Sequence, residues 1–177
     1  MNAIIGDNIA AIANAIIKEF DIKIPITDME DVVSRLHGKV EQVDNSMLLN
    51  AVERCDEDDD EDAEFIIRIS KYQSERSKNF AIAQELGFIF IHYGYMSNWE
   101  KWDNYDTAAT RMEKTEQDFQ AHEFASCLLM PKQDYYDYVY AHMQEGVVDV
   151  KEMSQYFRVP RGKVESRGKF VGVLAWR

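Results

Sequence analysis

The chain has 177 residues, 46% of them apolar, 12% aromatic and 29% charged, which suits one soluble domain with a sizeable core. Its formal net charge of −12 excludes broad binding to phosphate backbones, which needs a basic surface. No apolar run approaches the length of a membrane span, and residues 1–19 lack the cationic start of a secretory signal and contain Asp7. Cys55 and Cys127 are far apart and form no C-x-x-C pattern, so they read as free thiols, and the chain as cytoplasmic.

Residues 3–19 place Ile4, Ile5, Ile9, Ile12, Ile16 and Ile17 near helical spacing and predict a first helix. Pro25 disfavours helix at the residue before it, so "DIKIPIT" breaks the pattern. Thr27 or Asp28 can cap a second helix over about 28–37, with Gly38 closing it. "KVEQVD" alternates like a short strand, and 46–55 is ambiguous between states. Seven acidic residues follow in succession: Asp56, Glu57, Asp58, Asp59, Asp60, Glu61 and Asp62. Mutual repulsion makes this run a solvated loop, or a docking segment for a basic partner.

"EFIIRIS" (64–70) predicts a strand, and 74–93 a helix starting at Ser74 or Ser77. A looser aromatic loop covers 94–106. A long helix over about 108–130 should run to Pro131, and "KQDYYDYVYAHMQEG" should continue as helix to Gly146. The order is that of an α+β fold, mostly helical with a small sheet.

The tail differs in charge. From 151 to 177 there are seven Lys and Arg against Glu152 and Glu165, a net of +5, so the other 150 residues carry −17. "DVKEMSQYFRVPRGKVESRG" has the punctuation of a helix-turn-helix, whose basic second helix would offer Arg158, Arg161, Lys163 and Arg167 to nucleic acid. A two-helix unit packed on the main domain has the same pattern. The division expected is a body, 1–146, and a basic helical segment, 147–177, packed on it.

Three segments in order resemble one family. "SERSKNFAIAQELGFIFIH" is similar to the R-x-x-F-x-x-A-H-E-L-G-H-x-x-x-H helix of the ImmA/IrrE-type metallopeptidases. "EQDFQAHEFASCLLMP" resembles their second signature, E-x-x-A-N-x-F-A-x-x-L-L-M-P, and "MSQYFRVPRGKVESRGKFVGVL" their C-terminal helix–turn–helix. Strand "EFIIRIS" and the unit "ITDMEDVVSRLHGKV" also stand where that family has them. The resemblance implies a zincin-like fold of the gluzincin kind with a C-terminal helix-turn-helix-like segment. It also implies zinc as the cofactor of active relatives.

Carried over position by position, the resemblance puts the two histidine ligands at Gln84 and Phe88, the water-activating glutamate at Glu85, and the third ligand at Asp118. The asparagine of the second signature is His122 here. A neutral amide is a poor zinc donor, and a phenyl ring has no lone pair. Without metal nothing lowers the pKa of a bound water, so Glu85 loses the task of a general base. The expectation is a metal-free pseudo-peptidase with vestigial Gln84, Glu85, Phe88 and Asp118, whose fold persists through Phe80, Ile82, Leu86, Ile89, Phe90, Phe124, Leu128 and Leu129. A buried Glu85 would need a partner, for which Arg76 and Gln84 are candidates.

Two alternatives stand beside that reading. One is an active enzyme with a relocated metal site of Glu85, Asp118 and His122, with His92 near by. The other is a DNA-binding regulator acting through 150–169. The first reading implies a protein partner: a helix-turn-helix repressor or other basic DNA-binding protein, whose charge would complement the acidic body, or another host or phage protein to be inhibited. Its setting would be a phage, mobile element or toxin–antitoxin pair. His37 and His142 show no partner pattern.

Overall fold

The computed structural model describes residues 3–44, 50–55, 63–104 and 116–174. The acidic run 56–62 lies outside the described residues, as does the expected beginning of the long helix at 108–115.

Helix α1 (Ala3–Glu19) buries Ile9, Ala13 and Ile16, a stripe at helical spacing, and lies against α5 (Glu116–Leu129). Ile12, at the edge of that stripe, is exposed. Helix α2 (Met29–Arg35) is capped by Asp28, whose carboxylate accepts the amides of Glu30 at 2.9 Å and Asp31 at 3.1 Å. It is His37 (φ 59), not Gly38, that takes the left-handed turn after this helix. Gly38 serves a different need: a Cβ there would run into the Phe65 ring.

The described sheet has three strands, one more than the sequence pattern resolves: β1 (Gly38–Val43), β2 (Ala51–Arg54) and β3 (Phe65–Ser70), in the order β1-β3-β2. β3 runs parallel to β1, with Val40 opposite Ile67, and antiparallel to β2, with Val52 opposite Ile67. Being central, it needs apolar residues on both faces, and Phe65, Ile66, Ile67 and Ile69 are all buried. Arg68 sits between neighbours and pairs with Glu41 at 3.2 Å on one side and Glu53 on the other.

Ser74 begins α3 (Glu75–Gly87), its hydroxyl accepting the Ser77 amide at 3.3 Å. The helix continues from Phe88 to Tyr93 as a π-helical turn. That wider turn brings Phe88 and Tyr93, five residues apart, into a stack with centroids 5.9 Å apart. Gly94 (φ 84) ends it, and the short α4 (Trp99–Asp103) follows within the expected loop. Tyr95 is fully buried and its hydroxyl donates to the Leu36 carbonyl at 2.9 Å.

Helix α6 (Lys132–His142) stops four residues short of Gly146, because residues 144–147 form a tight turn. Helices α7 (Val150–Tyr156) and α8 (Arg161–Phe170) complete the fold. Met153, Phe157, Val159 and Val164 from this tail belong to the same buried core as α3 and α5. Polar seams hold it there: Arg76 donates to the Ser154 hydroxyl at 3.1 Å, and the Tyr135 hydroxyl donates to the Val164 carbonyl at 2.8 Å. The architecture is α+β, mostly helical around one small mixed sheet. No helix among the described residues is long and apolar enough to cross a membrane.

Candidate functional site

The site expected from the sequence lies where α3 crosses α5. The crossing is close because both helices present small residues. A Cβ added to Gly87 would lie 2.8 Å from both the Cα and the carbonyl oxygen of Ala121. Phe90 and Phe124 stack beside this point, with centroids 6.1 Å apart. The pair of helices therefore brings the QELGF segment of α3 to the beginning of α5, where Asp118 stands one turn before His122.

Each position is occupied differently. Gln84 and Asp118 are half-buried, while Glu85 is buried and does not lack a partner. Phe88 is 1% exposed, packed against Tyr93 and, at 5.8 Å between centroids, against the ring of His92. The position expected to carry an imidazole toward a metal thus carries a core side chain. Arg76, named as a partner for Glu85, points its guanidinium to Ser154.

A cation already sits beside the site. Lys163 of α8 reaches between the helices, its Nζ 2.6 Å from His122 Nε2 and 4.3 Å above the centre of the Phe80 ring. Phe80 stands one helical turn before Gln84, and its ring lies 4.9 Å from that of His122. An ammonium can only donate, so the His122 Nε2 lone pair accepts its proton. Burial, then the Lys163 charge, lowers the His122 pKa to about 4, which keeps the imidazole neutral.

This arrangement does not fit a zinc ion. The amide and phenyl groups supply no metal donors of the required kind. The alternative set of Glu85, Asp118 and His122 is not gathered either: among the described residues, no three His, Cys, Asp or Glu side chains converge as ligands. The lone pair of His122 that a metal would need is taken by an ammonium, whose charge repels a second cation.

Behind the crossing lies a buried ion pair that sequence reading missed. Arg167 and Glu123 meet at 3.0 Å, and Arg167 also donates to the Met130 carbonyl at 3.1 Å. Cys127 donates its thiol to the same Glu123 oxygen at 3.4 Å. Burial raises the pKa of Glu123 despite Arg167, and pushes the Cys127 thiol up to about 12, so that sulfur stays protonated. Neither cysteine is in a disulfide, as their spacing suggested. The signal for the pair was a glutamate inside the apolar run "AHEFASCLLMP" and an arginine four residues after Lys163, on the same face of α8.

The same facts bear on the basic tail. Of the residues offered to nucleic acid, Arg167 is buried and Lys163 is turned onto Phe80 and His122. Arg158 is exposed but gives its guanidinium to the Thr27 carbonyl, and Arg161 is exposed. His142 donates from Nδ1 to the Tyr138 carbonyl at 2.8 Å, and His37 takes the left-handed turn after α2.

A helix carrying the metal-helix pattern, crossing a second signature helix at a glycine–alanine contact beside a small sheet, defines a protein of the zincin-like peptidase class. The sequence profile of the IrrE N-terminal-like domain of the M78 peptidases matches residues 17–168, and the chain belongs to that family. The match begins near the end of α1 and runs through α7 and most of α8. Among curated proteins none matches the chain.

Proposed function

We propose that this chain is a metal-free pseudo-peptidase that works by holding another protein. The observation that carries the reading is the double occupation of the expected site, on the metal helix and on α5 facing it. Phe88 fills the core where the second imidazole belongs, and Lys163 holds the neighbouring His122 with a positive charge. Glu85 then has no metal-bound water to deprotonate.

What remains is a scaffold with an acidic body. Such a surface steers toward a basic partner, and a DNA-binding repressor is one whose recognition face has the complementary charge. The chain would act as a regulator or inhibitor in the setting of a phage, mobile element or toxin–antitoxin pair. A direct DNA reader is less well supported, because two of its four proposed basic residues are turned inward.

The test is metal content with a positive control. Protein purified without chelator should hold far less than one equivalent of zinc. The variant Q84H/F88H/D118E, with Lys163→Met added to release His122, should bind zinc stoichiometrically. Zinc held at one equivalent by the parent chain, surviving dialysis against a weak chelator, would overturn the reading.

A further inference from the structure

A cleft of about 90 Å³ opens where the beginning of α2, β1, β3, α3 and the turn between α7 and α8 meet. Helix α3 lines it with Glu75, Lys78, Asn79 and Ile82, a stripe at helical spacing on the side of α3 away from Gln84. Met29, Ile69 and Ile82 form the buried part of the lining. The exposed part carries the carboxylates of Asp28, Glu30 and Glu75 together with the guanidinium of Arg158.

Both cations of this lining have N–H groups to spare. Lys78 is the inner one, with 11% of its side chain exposed against 77% for Glu75. Among the described residues its Nζ donates to Gln42 Oε1 at 2.8 Å and to Glu75 Oε1 at 3.0 Å, which leaves one N–H of an ammonium's three. Arg158 donates from Nη1 to the Thr27 carbonyl, and its own carbonyl accepts from Asn79 Nδ2 at 3.1 Å. The turn is thus tied to both walls, while most of the guanidinium fork stays open. The anions are uncommitted in the same way. Asp28 caps α2 through Oδ1 alone, and the Glu30 carboxylate meets no cation among the described residues.

We propose that this cleft binds a small zwitterionic α-amino acid, of the size of glycine, alanine or serine. Its carboxylate lies on Lys78 and Arg158, and its ammonium among Glu30, Asp28 and Glu75. A cavity of this volume has room for about three waters, which suits a ligand of about six non-hydrogen atoms. An ammonium as enclosed as that of Lys78 gains most from an ionised acceptor, since charge-assisted hydrogen bonds are the strong ones. A lone anion would be repelled by three carboxylates, and a lone cation by Lys78 and Arg158. A ligand that carries both charges on neighbouring atoms satisfies both sets. The inference is independent of the pseudo-peptidase reading, because none of the vestigial metal positions lines the cleft.

The full chain is titrated with L-alanine, propionate and L-alaninamide, each to about 10 mM, and binding is followed in the amide NMR spectrum. Propionate lacks the ammonium, and L-alaninamide lacks the carboxylate. L-Alanine should shift the signals of Asp28, Glu30, Lys78, Asn79 and Arg158, and each control should bind at least about tenfold more weakly. Glu30→Gln, on the exposed rim, should weaken L-alanine by about fivefold, and Lys78→Met by about tenfold or more. The spectrum of each variant reports its folding, and Glu30→Gln decides alone if Lys78→Met does not fold. Either control binding as tightly as L-alanine overturns the proposal. So do the absence of shifts with L-alanine, shifts centred on Gln84 and His122, or undiminished binding by a folded variant.

Discussion

Gly87 of α3 and Ala121 of α5 bring two helix backbones into direct contact, with room for a hydrogen but not a methyl group between them. Gly87 has ordinary helical torsions (φ −59), so its need is space and not conformational freedom. The contact sets how near the QELGF helix comes to the beginning of α5. Gly87→Ala should therefore force the helices apart and cost about 1–3 kcal/mol, as overpacking in a core does. Equilibrium unfolding in urea measures it; a variant as stable as the parent would mean the crossing is not rigid.

The buried pair of Glu123 and Arg167 ties α5 to α8. Removing one partner strands a charge, so Arg167→Met should destabilise by about 3–5 kcal/mol, whereas the double variant E123Q/R167M should recover much of that loss. The pH dependence gives a second check. Burial already holds the Glu123 pKa above its ordinary value, and losing Arg167 raises it further. The folded form then binds a proton more readily than the unfolded chain, so the stability of R167M should fall as pH rises through that raised value. A stability of R167M that is flat or rising over that range would contradict the assignment.

His122 behaves in the opposite sense. Its folded pKa, about 4, lies below the ordinary 6.5, so the unfolded chain binds the proton more readily between those values. Its contribution should be complete above about pH 6.5 and be lost as the pH falls toward about 4. Lys163→Met removes the charge but leaves the burial, which is the larger cause. His122 should then titrate higher than in the parent, yet still below its ordinary value. NMR titration of the imidazole C–H signals decides this, and an unchanged His122 pKa would exclude the Lys163 contact in solution.

Phe88 is a core residue at a ligand position, and the two roles predict different outcomes. Phe88→Ala should cost about 3–5 kcal/mol, the loss expected for a buried phenyl group. In Q84H/F88H/D118E/K163M, a buried imidazole without metal should likewise lower stability, and zinc should restore it. Zinc at a hundred times its dissociation constant would add about 2.7 kcal/mol. Thermal unfolding with zinc and with chelator measures both, and the parent chain should show no such difference. A zinc-induced shift of equal size in the parent would count against the loss of the site.

Much of the fold was legible because local patterns and final burial agree. The stripe Ile9, Ala13 and Ile16, the isoleucines of β3, and the caps at Asp28 and Ser74 all follow from spacing and residue type. Strand β2 was not, since "AVER" is four residues long and earns its state only by pairing with β3. The π-helical turn at Phe88–Tyr93 was equally hidden, because an apolar run fits either helical period until its neighbours choose.

The sequence by itself determined the family and the loss of both imidazoles, since residue identity at positions 84 and 88 decides whether a nitrogen donor exists at all. Only the tertiary structure decided what replaced them. Lys163 and Arg167 look alike in the sequence, two cations of a basic tail, and part ways when α8 packs on α5. One is laid against Phe80 and His122, and the other is buried on Glu123. The reason is physical: a charge enters an interior only where an opposite charge, a lone pair or a ring face meets it. Those partners, more than 40 positions away in the chain, are brought there by the fold.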